Sequence, residues 1–388
     1  MAEGTQSLLE RVAAMIHARL DPKRAADAKR RQADMFAGRT SDSIPILLGK
    51  DAPEAAGLPG VDDWERWHDP AKSLYDQLKN GVLPAAAAGG DSVLAVRPDT
   101  GVINCMTVFG AGWTVMRQAR PAITRYVPKE ALREFQVPDD VSGLGCMPKV
   151  VEHLEHHRAA LARLGLAEAV PIGHCDQQGP FDIAAQARGH DLFVDLYDDP
   201  EFVHMLMHKC VQVYVAVSRL CRRYGPANLT GAYGGGQWMD HPCVRMCGDS
   251  EILISAAQHR EFVAPRIADA LRAMGGGWFH YCGGMPGFGR REGLHLHEIL
   301  AGIEGLRALN WSTAGDWIGE MWRLKALGLV NLGFLPRGEG EALEAYFRRV
   351  LSPYDKRAGL LFEAYGVKPD EADRAVDTWR SVQDAVFH

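Results

Sequence analysis

No cysteine follows Cys282, and the eight cysteines of this 388-residue chain are scattered. So few in so long a chain make no disulfide framework. Buried or ligating thiols in a reducing, cytoplasmic setting are expected. No apolar run approaches the roughly 20 residues that span a bilayer. Positive charge is also short: the net charge is −6, which gives no electrostatic case for nucleic acid or an anionic membrane. No G-x-G-x-x-G follows the first apolar run, so a dinucleotide site loses its best support. The N-terminus lacks the pattern of a signal peptide, because residues 5–20 read as an amphipathic helix carrying Glu10, Arg11 and Arg19. What remains is an ordinary globular composition, 47% hydrophobic and 24% charged, in a chain long enough for a large core.

Leu8, Leu9, Val12, Ile16 and Leu20 recur at helical spacing, and Asp21-Pro22 breaks that run. Residues 25–36 predict a second helix with a basic, solvated face. The small-residue run 85–90 reads as a loop, and the proline-bearing stretch 113–150 as a lid or side wall. Residues 149–164 form a helix whose His153, His156 and His157, interleaved with Glu152, Glu155 and Arg158, read as solvent-facing. Strand-like runs fall at 44–48, 92–97, 102–109, 169–175, 227–233, 277–282, 306–313 and 329–335. From 169 onward they alternate with helices, one of which is opened by Asp198-Asp199-Pro200. Such alternation predicts parallel strands joined by crossovers. About eight strand candidates favour an α/β fold of the closed (β/α)8 type, with chemistry at the carboxyl ends of its strands.

One stretch concentrates that chemistry. In Trp278-Phe279-His280-Tyr281-Cys282, two metal-ligand side chains stand two apart, and Gly283-Gly284 breaks the strand. Residues two apart in a strand share a face, and imidazole with thiolate suits zinc. The same pair also fits an ordinary packed strand, so further ligands must come from other strand ends. His174, Cys175 and Asp176 meet that condition, as do Tyr233, Gln237 and Trp238, and Asn310, Trp311 and Ser312. The loop holding His241, Cys243, Cys247, Asp249 and Glu251 adds more.

Several strings resemble the uroporphyrinogen decarboxylase superfamily. They are Gln178-Gly179-Pro180-Phe181-Asp182-Ile183-Ala184 with Arg188-Gly189, then Asp199-Pro200-Glu201-Phe202-Val203-His204. Gly248-Asp249-Ser250-Glu251-Ile252-Leu253-Ile254-Ser255 and Arg260-Glu261-Phe262-Val263-Ala264-Pro265 follow. His280-Tyr281-Cys282-Gly283 stands at the interval of the superfamily's methyltransferase branch. The likeness covers roughly residues 165–340 well and the first 150 only loosely. It implies one cytoplasmic (β/α)8 barrel over 41–388 behind an N-terminal helical extension, 1–40.

The methyltransferase branch moves a methyl group between a corrinoid protein and a thiol, using zinc held by His-x-Cys and a much later cysteine. Here His280 and Cys282 match, and the later cysteine has no counterpart. Cys247 is the preferred substitute, with Cys243, His174, Cys175 and Asp249 as alternatives. The resemblance therefore implies a zinc-dependent methyltransferase with metal ligands His280, Cys282 and Cys247. Asp249, His174 and Tyr233 are its expected catalytic groups, and Gln178, Phe181, Trp238, Asn310 and Trp311 its substrate-binding residues. Its expected partners are a small-molecule substrate, a corrinoid protein and a second copy of the chain in a homodimer. A metal-free decarboxylase of a tetrapyrrole or carboxylated aromatic is the alternative, with Arg117, Arg120 or Arg125 as anion clamps. A third is a ligand-binding barrel without turnover.

Overall fold

The computed structural model describes residues 4–232, 235–282, 294–312 and 315–388. Its centre is a parallel sheet of six short strands. In chain order they are β1 (Ile46–Leu47), β2 (Val244–Cys247), β3 (Gly277–Tyr281), β4 (Leu306–Trp311), β5 (Val330–Gly333) and β6 (Leu360–Glu363). Their residues are mostly apolar on both faces, as a parallel sheet covered by helices requires. β2 to β6 lie side by side in chain order, and β1 pairs with β6 through Ile46 opposite Phe362. The helices Ala264–Met274, His297–Ala301, Trp317–Ala326 and Leu343–Leu351 each follow one of β2 to β5. This is the mixed α/β architecture expected from alternating periodicity.

Two further segments continue the sheet by isolated contacts. The amide of Asp91 donates to the Ile46 carbonyl (2.8 Å), and Val96 bridges Ile172 in parallel. Gly179 N–H then reaches the Cys247 carbonyl (2.6 Å), at the end of β2.

The N-terminal helices Thr5–His17 and Pro22–Phe36 pack on this body. Asp21 caps the second, accepting from the amides of Lys23 and Arg24. The basic face expected to be solvated is only partly so. Arg31 is buried, 2.8 Å from Asp91 and 2.9 Å from Asp42, and Gln32 bonds the Asp91 carbonyl and the Trp238 amide.

Four other expectations are corrected. Residues 102–109 contain the helix Asn104–Val108, because Asn104 and Thr107 spend their polar side chains on nearby backbone and on Thr100. The run 227–233 contributes Leu229–Ala232 to an antiparallel hairpin with Gly235–Trp238, outside the main sheet. The alanine run at 85–90 forms the helix Leu83–Ala88, ended by Gly89 at φ 73°. His153 and His157 are buried, because their helix packs that face on Pro70–Gln77. A two-stranded antiparallel hairpin, Gly112–Met116 with Ala119–Arg125, opens the stretch read as a lid or side wall. Among the described residues no helix is long and apolar enough to cross a membrane.

Candidate metal centre

Cys247 ends β2 and lies in register with His280 on β3. The Gly248 amide donates to the His280 carbonyl (2.8 Å), which ties the loop after β2 to the end of β3. Only glycine fits at 248, since an added Cβ would lie 2.2 Å from the Phe279 ring and 2.6 Å from Glu251 Oε1. That close approach swings Asp249 back over the strand ends. One donor atom each from Cys247, Asp249 and His280 then lies within 4.8 Å of the others. His280 Nε2 is 3.9 Å from Asp249 Oδ1 and 3.0 Å from Cys282 Sγ. The Cys282 amide donates to the same Asp249 oxygen (2.6 Å).

The imidazole is oriented from behind. Asn310 on β4 donates its Nδ2 to the Leu332 carbonyl (2.6 Å), which fixes the amide so that its Oδ1 accepts from His280 Nδ1. The hydrogen therefore resides on Nδ1, and Nε2 keeps its lone pair toward Cys282 and Asp249. Burial, with help from Arg245, holds His280 below the usual imidazole range, so the ring is neutral as a ligand must be. Burial, with Asp249 adding to it, raises the Cys247 thiol well above its ordinary value. Loss of that proton is the cost a bound cation must offset.

These residues border a cavity of about 320 Å³ at the carboxyl ends of the strands. Its charged wall is Arg97, Asp176 and Arg245. Asp176 accepts from Arg97 Nη2 (3.1 Å) and from Arg245 Nη1. Burial alone would raise the Asp176 carboxyl, but the two guanidiniums outweigh it and hold it at about 2. Below the cluster, buried Asp182 accepts from the amides of Asp249 and Ser250, both at 2.8 Å. Burial, then Asp249 and Glu251, pushes its carboxyl up to about 8. Asp182 therefore shapes the loop and does not face the cavity as a ligand.

Of the residues singled out in the sequence, Asp176, Cys247, Asp249, His280, Asn310 and Gln178 all border this cavity, and Cys282 stands beside His280. Others lie elsewhere. His174 is buried, and burial, with Arg222 adding to it, lowers it to about 3. Phe181 packs in the core against Phe193, and Trp311 is buried in a stack with Trp317 (4.8 Å). Trp238 lies under the Lys29 ammonium (4.3 Å) and borders a different cavity. Cys243 and Cys175 are buried, the latter 3.7 Å from Cys221. Tyr233 falls outside the described residues. Arg117 pairs with Asp62 and Arg120 with Asp99, while Arg125 sits on the hairpin opposite Gly112. Among the described residues, the arginines that border the cavity are Arg97 and Arg245. Sequence reasoning missed these two as site residues, along with Glu363 and Tyr365. For Arg97, Arg245 and Glu363 the signal was faint: a charge in or at the end of a short apolar run.

A sulfur, a carboxylate and an imidazole nitrogen are a donor set that suits zinc, with Cys282 as a neighbouring fourth. No protein-family model matches this chain, and no curated protein matches it.

Proposed function

We propose that this chain is a zinc-dependent methyltransferase that moves a methyl group to or from a corrinoid or a thiol, on a sheet closed into a (β/α)8 barrel. One observation carries this: Cys247, Asp249 and His280 converge within 4.8 Å on the wall of a cavity at the strand ends. Those three residues would hold the ion, with Cys282 positioned to join them or to leave that place to substrate. When bound, zinc lowers the pKa of a substrate thiol and so supplies a nucleophile near neutral pH.

The chain's own residues do the rest. Asn310 keeps the donor nitrogen of His280 turned toward the cavity. Asp182 holds the loop that presents Asp249. Arg97 and Arg245, braced on Asp176, set two fixed guanidiniums in the cavity wall. A corrinoid protein as the methyl partner, a homodimer and a cytoplasmic setting belong to the same proposal.

A decarboxylase of carboxylated substrates draws support from Arg97 and Arg245 at the cavity, since guanidiniums clamp carboxylates. Both are engaged by Asp176, so this alternative needs the substrate to displace that carboxylate. A barrel that binds a ligand without turnover keeps the same cavity.

The test is metal analysis with a turnover assay. Purified protein is expected to hold about one zinc per chain and to transfer methyl from methylcobalamin to a small thiol, with loss on chelation. Cys247→Ser and His280→Ala should lose both metal and turnover. A metal-free wild type that is indifferent to chelators would reject the proposal. Release of carbon dioxide from a porphyrinogen would favour the alternative.

A further inference from the structure

The cavity at the metal cluster does not end there. A second lobe of about 280 Å³ adjoins it, and Glu363 and Tyr365 border both. Glu363 closes β6, where the alternation of the strand turns its side chain inward. Among the described residues no hydrogen bond or ion pair to its carboxylate is found, although most carboxylates of this protein are paired. The second lobe is otherwise walled by apolar side chains such as Leu47, Leu48 and Pro84, with Asn80 and Ser92. Asn80 donates its side-chain amide to Asp76.

Charge is divided across the two lobes. Beside the metal cluster, Arg97 and Arg245 share the single carboxylate of Asp176. Two guanidiniums beside a bound divalent ion repel a second cation from the cluster itself. Glu363 is the acid that borders the other lobe. An aromatic series leads toward it: Trp311 on Trp317 (4.8 Å), Trp317 on Phe334 (5.2 Å), Phe334 against Tyr365 (5.6 Å). Tyr365 is 68% exposed, so its ring remains open to a ligand.

We infer that the second lobe binds the non-reacting end of the substrate, and that this end is an alkylated ammonium held by Glu363 and the ring of Tyr365. The inference rests on the proposed function for the reaction, but on its own residues for the binding. A primary ammonium carries three donors and needs several acceptors. This lobe sets one carboxylate among mostly apolar walls, with Asn80 and Ser92 as the other polar side chains, which matches an amine most of whose hydrogens are replaced by alkyl groups. A carboxylate with an aromatic face is how such cations are bound elsewhere. Burial raises the Glu363 carboxyl to about 7, with Arg245 drawing it partly back, so at pH 8 it is ionised.

Three probes of one shape test this at pH 8 by calorimetric titration of the zinc-loaded protein: tetramethylammonium, uncharged tert-butanol and anionic pivalate. Tetramethylammonium is expected to bind at least about tenfold more tightly than either match. Glu363→Gln should weaken it about tenfold or more, and Tyr365→Leu about two- to fivefold, each with zinc stoichiometry unchanged. If Glu363→Gln does not fold, Tyr365→Leu and the three-probe ranking decide. Pivalate binding as well as tetramethylammonium, no binding of tetramethylammonium, or a Glu363→Gln affinity within twofold of wild type overturns the inference. Zinc content separates the two proposals. Lost ammonium selectivity with zinc retained removes this one alone, whereas selectivity without zinc removes the metal assignment alone.

Discussion

At the scale of single residues, the candidate centre depends on an amide that is not itself one of its donors. Asn310 Oδ1 accepts from His280 Nδ1, and its Nδ2 is pinned by the Leu332 carbonyl. Asn310→Leu should therefore leave folding intact and lower zinc affinity about 10- to 100-fold, measured by competition with a chelating dye. Asn310→Asp, which keeps the acceptor, should lose much less. Equal losses in the two variants would mean that the amide acts by packing and not by orienting the ring. Gly248 belongs to the same scale. Gly248→Ala forces Phe279 or Glu251 aside, and the expected result is loss of metal with only modest loss of stability. Metal content beside a denaturation curve separates the two effects.

At the scale of elements, the two-residue strand β1 is too short to hold itself in a sheet. The C-terminal helix Ala372–Val386 holds it there. Trp379 donates its indole N–H to the Ile44 carbonyl (2.8 Å), and Gln383 accepts from the Ile44 amide (2.7 Å). The Trp379 ring stacks on Phe362 of β6 (4.9 Å) and meets Phe347 edge-on (5.1 Å). This clasp joins residues more than 300 positions apart in the chain and supports the strand that carries Glu363. Trp379→Ala removes a fully buried indole and the shortest hydrogen bond to the Ile44 carbonyl, leaving it the longer ones from Ser43 Oγ (3.2 Å) and Gln383 Nε2 (3.4 Å). A loss of about 3–5 kcal/mol is expected in urea denaturation. A loss under about 1 kcal/mol would show that β1 does not depend on the helix.

At the scale of the whole molecule, several histidines are buried neutral. Burial lowers His153 to about 4, although its Nε2 bonds the Trp67 carbonyl. A group with a folded pKa below its unfolded value binds fewer protons in the native state. Its contribution is therefore present above about 6.5, falls as pH drops toward about 4, and is constant below that. His153→Gln keeps a donor for the carbonyl but cannot titrate. Between pH 7 and pH 4, wild type should lose on the order of 3 kcal/mol relative to that variant. Denaturation curves at the two pH values check it, and parallel curves would contradict it. Metal binding acts on the same global equilibrium. Zinc at 100 times its dissociation constant should stabilise wild type by about 2.7 kcal/mol and Cys247→Ser by close to nothing. The shift in Tm with added zinc is the measurement.

Periodicity alone determined much of this protein. The alternation of short apolar runs with amphipathic helices fixes an α/β class, because a strand's period of two and a helix's of 3.6 are local properties. The pairing of His280 with Cys282 was equally legible, since two residues apart on one strand must share a face. What only the tertiary structure decided was company. Cys247 and Asp249 reach His280 because two parallel strands end in register, and Arg97, Asp176 and Glu363 arrive from three other chain segments, while Arg245 rides on the strand of Cys247. Burial worked the same way. The polar neighbours of His153 and His157 suggested water, but the helix packed that face inward. Register, burial and convergence are set by contacts between residues remote in sequence, and the free energy of those contacts is not written in any local pattern.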